Sequence, residues 1–205
     1  MDRSLLELPS LVVEQKAKLF EMRNEYRVFD ETGMQVGTIM QTKQSIFTFL
    51  ARLGTDLDVA LPVTLELTDA SGALVLTMHK PWFRMALEVS RGDGALVGTV
   101  RKRVRLGKAR FTIADATGHE VGEVRARNWR ARDFAVVDTT ERPVAEVNKK
   151  WRGLAREAFT DADTYGVRVD DGTTEPLRTL ALGAAMAIDL IMKQKDVAGS
   201  AFDWT

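Results

Sequence analysis

The chain has 205 residues, 45% of them apolar, which is enough for one well-buried core and too little to require two. It contains no cysteine, which excludes disulfides, thiolate metal sites and a cysteine nucleophile, and leaves two histidines for base or metal chemistry. The formal net charge is zero but unevenly spread: residues 1–97 hold 10 basic and 13 acidic side chains, residues 98–156 hold 15 and 7, and residues 157–205 hold 4 and 9.

The opening stretch, with Asp2 and Glu7 and no apolar run behind a basic end, does not read as a secretory signal and points to a cytoplasmic protein. Residues 1–10 are expected to be a short tail. From residue 11 to 170 the chain reads as a β-meander, because one unit recurs along it. Its first copy is Phe29-Asp30-Glu31-Thr32-Gly33, followed by Val36 and Ile39. Variants stand at Asp69-Ala70-Ser71-Gly72, Arg91-Gly92-Asp93-Gly94 and Asp115-Ala116-Thr117-Gly118, with a fainter copy from Val136 through Asp138 to Val147. Aspartate can cap its own turn, glycine accepts positive φ, and alternating β-branched residues follow, so each copy predicts a hairpin. Gaps between hairpins read as short and polar except Thr42 to Leu61, whose Ile46, Phe47, Phe49 and Leu50 suit a helical turn or a long loop.

Residues 174–195 predict a helix. Thr173 and Thr174 offer capping hydroxyls, Pro176 suits a first turn, and Lys193 and Lys195 would favour the C-terminal dipole. Between Leu180 and Met192 the only charge is Asp189, so no polar stripe exists and the helix needs apolar neighbours on every side. Its apolar part, about 20 Å at about 1.5 Å per residue, is too short for a hydrocarbon core near 30 Å. Protein must therefore enclose it, with Gly183, Ala184, Ala185 and Ala187 keeping it thin. A meander of ten to twelve strands closed into a barrel removes its own edges and encloses a lumen that this helix can fill. Residues 196–205 are expected to be a tail, and the whole chain a single domain.

After the meander comes Lys149-Lys150-Trp151-Arg152-Gly153-Leu154-Ala155-Arg156-Glu157-Ala158-Phe159-Thr160-Asp161-Ala162-Asp163-Thr164-Tyr165-Gly166. This stretch resembles the phospholipid scramblase segment K-x-W-x-G, then R-E-x-F-T-D-A-D, then an aromatic and glycine. Gly183-Ala184 and Ile188-Asp189 resemble that family's closing segment, and Tyr26 to Gly37 is similar to the start of that domain and of the LURP-one-related and Tubby C-terminal domains. The resemblance implies a mainly β, roughly twelve-stranded closed antiparallel barrel around a hydrophobic C-terminal helix, in a Tubby C-terminal-like fold. It also implies a link to membrane lipids: calcium-dependent movement of phospholipids between leaflets for scramblases, and phosphoinositide headgroups for Tubby domains. The palmitoylated cysteine cluster of eukaryotic scramblases has no counterpart here.

The basic block supplies the candidate headgroup site. Arg101, Arg103 and Arg105 alternate along one strand, Arg125 and Arg127 along a neighbouring hairpin, and Lys149, Lys150, Trp151, Arg152 and Arg156 follow. Each alternating set should project to one side of a sheet, where guanidinium forks suit phosphate and tryptophan suits an interface. The alternative is that the acidic flanks fold against the block and neutralise it. Nucleic acid is not expected as a partner, given the neutral total. The family's calcium segment maps onto Asp161 to Gly172, in which Asp161 and Asp163 are the acids, Tyr165 occupies position five and Gly172 the last, so the site would be weak. No cofactor is otherwise expected.

Enzyme chemistry finds little support: His79 and His119 read as exposed hairpin residues, and Asp189 is expected to be paired with an arginine or a backbone donor near the helix end. The sequence reading is therefore a non-enzymatic barrel that binds anionic phospholipid headgroups peripherally, at the inner face of the plasma membrane, and takes part in phospholipid scrambling. The alternative is a LURP-one-related-type barrel with a protein or small-ligand partner.

Overall fold

The structure is a computed structural model that describes residues 4–15, 25–42, 62–103, 108–128, 132–149 and 164–200, with side chains of the last segment described to residue 192. Twelve strands form one closed antiparallel barrel: β1 (Ser10–Gln15), β2 (Glu25–Phe29), β3 (Gln35–Thr42), β4 (Val63–Asp69), β5 (Leu74–Lys80), β6 (Ala86–Arg91), β7 (Leu96–Lys102), β8 (Arg110–Asp115), β9 (Glu120–Ala126), β10 (Asp133–Asp138), β11 (Pro143–Lys149) and β12 (Thr164–Val169). Each strand pairs with its sequence neighbours, and β1 closes the circle on β12 with Val13 opposite Tyr165.

The five hairpins β2–β3, β4–β5, β6–β7, β8–β9 and β10–β11 turn at one end of the barrel, here the turn end. All five share one backbone geometry, and all but β6–β7, which has Arg91 at the first turn position, add an aspartate cap. In the turn after β8, Gly118 N–H donates to the Asp115 carbonyl and Asp115 N–H to the His119 carbonyl. The Asp115 carboxylate accepts from the Thr117 N–H, the Thr117 hydroxyl and the His119 N–H, at 2.6 to 3.0 Å. The residue two before each turn residue or beside it carries a one-residue register shift, as between Ile113 and Ala114. This combination of a type I turn and a following left-handed residue is a standard three-residue hairpin. Gly118 sits at φ +88°, and the equivalent place in the faint fifth copy is filled by Glu141 at φ +66°.

The lumen is occupied by α1 (Leu177–Ser200), whose residues from Thr179 to Ile191 are all buried. The strands direct Val28, Ile39, Leu67, Met78, Val89, Val100, Ile113, Val136 and Val167 inward into one apolar core with the helix, which packs mainly against β6, β7, β11 and β12. Close approach is built in from both sides. A Cβ on Gly183 would meet Val89 Cγ2 at 2.7 Å, and one on Gly98 of β7 would meet Leu180 Cδ1 at 2.9 Å. Wall and helix therefore fit only with small residues at those crossings. Leu5, in a 3-10 turn at Leu5–Glu7, is buried beneath the turn end.

Two local expectations at the helix are corrected. The Thr173 hydroxyl donates to the Val144 carbonyl at 2.8 Å and does not cap the helix; instead, Leu180 N–H reaches the Pro176 carbonyl at 3.0 Å. The helix also runs past Lys193 and Lys195 to Ser200, so those lysines do not form its last turn.

Candidate functional site

The end opposite the turns, here the loop end, collects the connections between hairpins. Its described rim carries Arg84, Arg101, Arg103, Lys108, Arg127, Arg132 and Lys149. Backbone bonds tie neighbouring connections together there: Lys102 N–H donates to Met85 O, Ala126 N–H to Ala109 O and Lys149 N–H to Arg132 O. Side chains add to this, with the Lys108 ammonium on the Arg127 carbonyl at 2.9 Å and Asn128 Nδ2 on Asp133 at 2.8 Å. The turn end has the opposite sign, presenting Asp30, Glu31, Asp69, Asp93, Asp115, Asp138, Asp170 and Asp171 against Arg91, Arg142 and Arg168. Among the described residues, the barrel is polarised from one end to the other.

The alternating arginines do share a face. Register places Arg101 beside Thr112 and Thr112 beside Glu123, while Arg103 pairs with Arg110 and Arg110 with Arg125, all on the outer wall. Arg101 is exposed and makes no ion pair among the described residues. The others are engaged. Arg103 donates to Thr112 Oγ1 at 2.6 Å and to Glu120 at 2.9 Å. Arg125 bonds Glu141 and Glu123, which push its guanidinium above the ordinary value, Glu141 most. Arg127 pairs with Glu146, and the Lys149 ammonium lies 5.8 Å from the centre of the Tyr165 ring. The partner carboxylates Glu120, Glu123, Glu141 and Glu146 belong to the basic block itself, so among the described residues its partial neutralisation is internal. Arg105, Lys150, Trp151, Arg152, Arg156, Asp161 and Asp163 lie outside the described residues.

Sequence reading missed two features. Arg110, 3.5 Å from Glu123, joins the arginine row through strand pairing that no local pattern reveals. The β5–β6 connection, Pro81-Trp82-Phe83-Arg84-Met85, is not polar as the hairpin gaps were expected to be. Two adjacent aromatics where a turn residue was expected were the available signal.

Inside the loop end lies a polar layer. Asp189, 1% exposed, accepts from the hydroxyls of Tyr26 and Tyr165, each at 2.6 Å. Two phenols are thus among its partners, a pairing that the sequence did not suggest. Lys80 and Lys102 are buried on the inward face at the same end, and burial pushes the Lys80 ammonium below its ordinary value. His79 lies in β5, on a strand of the β4–β5 hairpin, but is half-buried rather than exposed, on the outer wall with Nδ1 3.0 Å from the Thr64 hydroxyl. His119 does sit by its turn, with Nδ1 2.7 Å from the Thr117 hydroxyl. Of the calcium segment, Thr164–Val169 forms β12, paired on both sides, with the Tyr165 ring turned into the lumen. Among the described residues no three His, Asp or Glu side chains are grouped to hold a metal, and no helix is long and apolar enough to cross a membrane.

Comparison with known proteins places this architecture. A solved structure of a protein from Arabidopsis thaliana superposes with a TM-score of 0.52 at 15% identity, covering 89% of this chain and 93% of that one, so the two share a fold. Phospholipid scramblase family member 5 of Homo sapiens is 24% identical over 95% of this chain and 78% of its own length. Altered inheritance rate of mitochondria protein 25 of Saccharomyces cerevisiae is 24% identical over 82% of this chain and 60% of its own length. Phospholipid scramblase 1 of Mus musculus is 23% identical over 93% of this chain, which spans 63% of that protein. The Scramblase family model matches residues 3–193, nearly the entire barrel and helix, and the chain belongs to that family.

Proposed function

We propose that this protein binds membrane phospholipids peripherally, through their anionic headgroups, and takes part in phospholipid scrambling at the cytoplasmic face of a membrane. The observation that carries the reading is the polarity of the barrel, which gathers Arg84, Arg101, Lys108, Arg127, Arg132 and Lys149 at one rim of a Scramblase-family fold. An anionic surface attracts such a rim, at about 1 kcal/mol per basic residue near it, and repels the aspartate-bearing turns. The barrel would thus meet the membrane loop end first. Arg101, free of carboxylates among the described residues, is the strongest single contributor in this reading. Arg103, Arg125 and Arg127 contribute less, because each already faces a glutamate. Calcium at Asp161 and Asp163 remains a proposal of the same reading, and no catalytic role is assigned to any residue.

A second reading, a barrel that takes a small ligand or protein partner, rests on a cleft of about 810 Å³ beside the turn end, where Arg142 and Arg168 face Asp30 and Asp170.

Co-sedimentation separates the two. Vesicles of neutral and of anionic lipid are compared at low and high salt, with calcium or with chelator. The expected result is retention on anionic vesicles only, falling as salt screens the contact. Replacing Arg101, Arg103 and Arg105 together by Ser is expected to weaken retention about tenfold or more. Retention that is indifferent to lipid charge and to these substitutions would sink the headgroup reading and leave the cleft as the site to pursue.

A further inference from the structure

We propose that the β5–β6 connection, Pro81–Met85, is a membrane-inserting tip: Trp82, Phe83 and Met85 enter the boundary between headgroups and acyl chains while Arg84 engages phosphate. The proposal rests on the lipid reading above and specifies how the barrel would be seated on the bilayer.

Exposure comes first. Phe83 is 77% exposed, Trp82 54% and Met85 37%, three apolar side chains within four residues on a surface whose neighbouring rim is basic. The two rings contact each other at 6.0 Å between centroids, tilted by 33°, and so form one joint apolar knob. Isolated exposed apolar residues need no explanation, but a contiguous aromatic group does.

The backbone is the second observation. Phe83 stands at φ +54°, a left-handed conformation that is unfavourable for a bulky side chain and that four of the hairpins at the turn end give to glycine. Nothing inside the barrel benefits, because the ring points away from it. The stem beneath is firm: Lys80 and Ala86 are buried on either side, and Lys102 N–H holds the Met85 carbonyl at 2.8 Å. A rigid stem that presents two rings outward is preorganised for insertion, so little conformational freedom is lost on binding.

Charge decides the occupant. Arg84 lies within the tip and Arg101 pairs with Ala86 at its base, so the apolar knob has a cationic collar. Tryptophan favours the membrane interface and arginine favours anionic headgroups, which together match a lipid surface. The turn end provides the contrast. Met34, Leu74 and Leu96 are exposed there as well, at 64%, 40% and 44%, but among the turn aspartates, where an anionic bilayer is repelled.

The chain has no cysteine, so a single label can be placed without removing any native residue. Phe83→Cys carries a polarity-sensitive fluorophore, Leu74→Cys carries the same label at the opposite end, and vesicles are an equal mixture of phosphatidylcholine and phosphatidylserine with brominated acyl chains. The expected result is a blue shift and bromine quenching at position 83 and neither at 74. Separately, Trp82→Ser with Phe83→Ser should lower vesicle retention at least about tenfold with an unchanged unfolding transition, whereas Met34→Ser with Leu74→Ser should bind as the unsubstituted protein does. If the unsubstituted protein binds these vesicles while the label at 83 stays in water, or while the Trp82 and Phe83 variant binds equally well, the tip is overturned and the headgroup reading stands. If the unsubstituted protein binds no vesicle, the lipid reading falls and takes the tip with it.

Discussion

The two ends of this barrel are built on different principles. At the turn end, four of the five hairpins are closed by their own residues: an aspartate, a hydroxyl residue and a left-handed position supply their hydrogen bonds within five residues of sequence. At the loop end, order comes from groups far apart. Tyr26 and Asp189 are separated by 163 positions, Lys108 and Arg127 by 19. Local closure makes an end that is repetitive and complete in itself. Distant closure leaves a rim free to vary, and in this protein the rim carries the aromatic residues and the positive charge.

The largest test of that contrast is at the Asp189 layer. Replacing Tyr26 and Tyr165 together by Phe keeps the packing and removes both phenolic donors from a buried carboxyl group. Each lost bond is expected to cost about 1–3 kcal/mol, and the double variant should lower the Tm by on the order of 5–15 °C. Thermal unfolding measures this directly. A Tm within a degree of the unsubstituted protein would mean that the loop end does not depend on this contact, and the contrast would weaken.

A middle-sized effect is expected at the turn end, with a pH signature. The Thr117 hydroxyl beside Asp115 holds its carboxyl below the ordinary value, as Ser71 does for Asp69 and Thr140 for Asp138. A carboxyl lowered on folding contributes stability that is complete above its unfolded value, near pH 4, and is lost as pH falls through the folded one. Asp115→Ala should lower the Tm by about 2–4 °C at neutral pH. Asp69→Asn, Asp115→Asn and Asp138→Asn combined keep an oxygen acceptor that does not titrate, so their curve of Tm against pH should be flatter below about pH 4. A curve as steep as that of the unsubstituted protein would place the acid sensitivity elsewhere.

The same contrast explains what was legible in the sequence. The aspartate-to-glycine units announced their hairpins because the turn chemistry lies within one short word, and Leu180 to Met192 announced a buried helix because no polar stripe interrupts it. The phenols around Asp189 were not legible, since strand register and helix depth bring Tyr26 and Tyr165 to it. Internal neutralisation of the arginines was hidden for the same reason: Glu141 is sixteen positions from Arg125 and meets it only through the pairing of β9 with β10 and β10 with β11. The Trp82 and Phe83 connection was passed over because the gaps between hairpins were read as short and polar.

The smallest effect concerns the one turn that departs from its four counterparts. Glu141 occupies the left-handed position at φ +66° that glycine fills at Gly33, Gly72, Gly94 and Gly118. Two opposed contributions meet there. A side chain in this conformation is unfavourable, whereas the Glu141 carboxylate accepts from Arg125 and is itself held below its ordinary value by that guanidinium. The ion pair is exposed, with 66% of the Glu141 side chain open to solvent, so screening leaves it little strength. Relief of the backbone should prevail, and Glu141→Gly is expected to raise the Tm by about 1–2 °C. Glu141→Gln, which keeps the conformation and weakens the pair, should leave it unchanged or slightly lower it. The outcome also bears on the rim: Glu141→Gly releases one of the two carboxylates on Arg125, so binding to anionic vesicles should strengthen if that arginine faces the headgroups. A Tm that falls with Glu141→Gly would mean that the ion pair outweighs the turn, making this hairpin the place where the local design of the turn end yields to long-range contact.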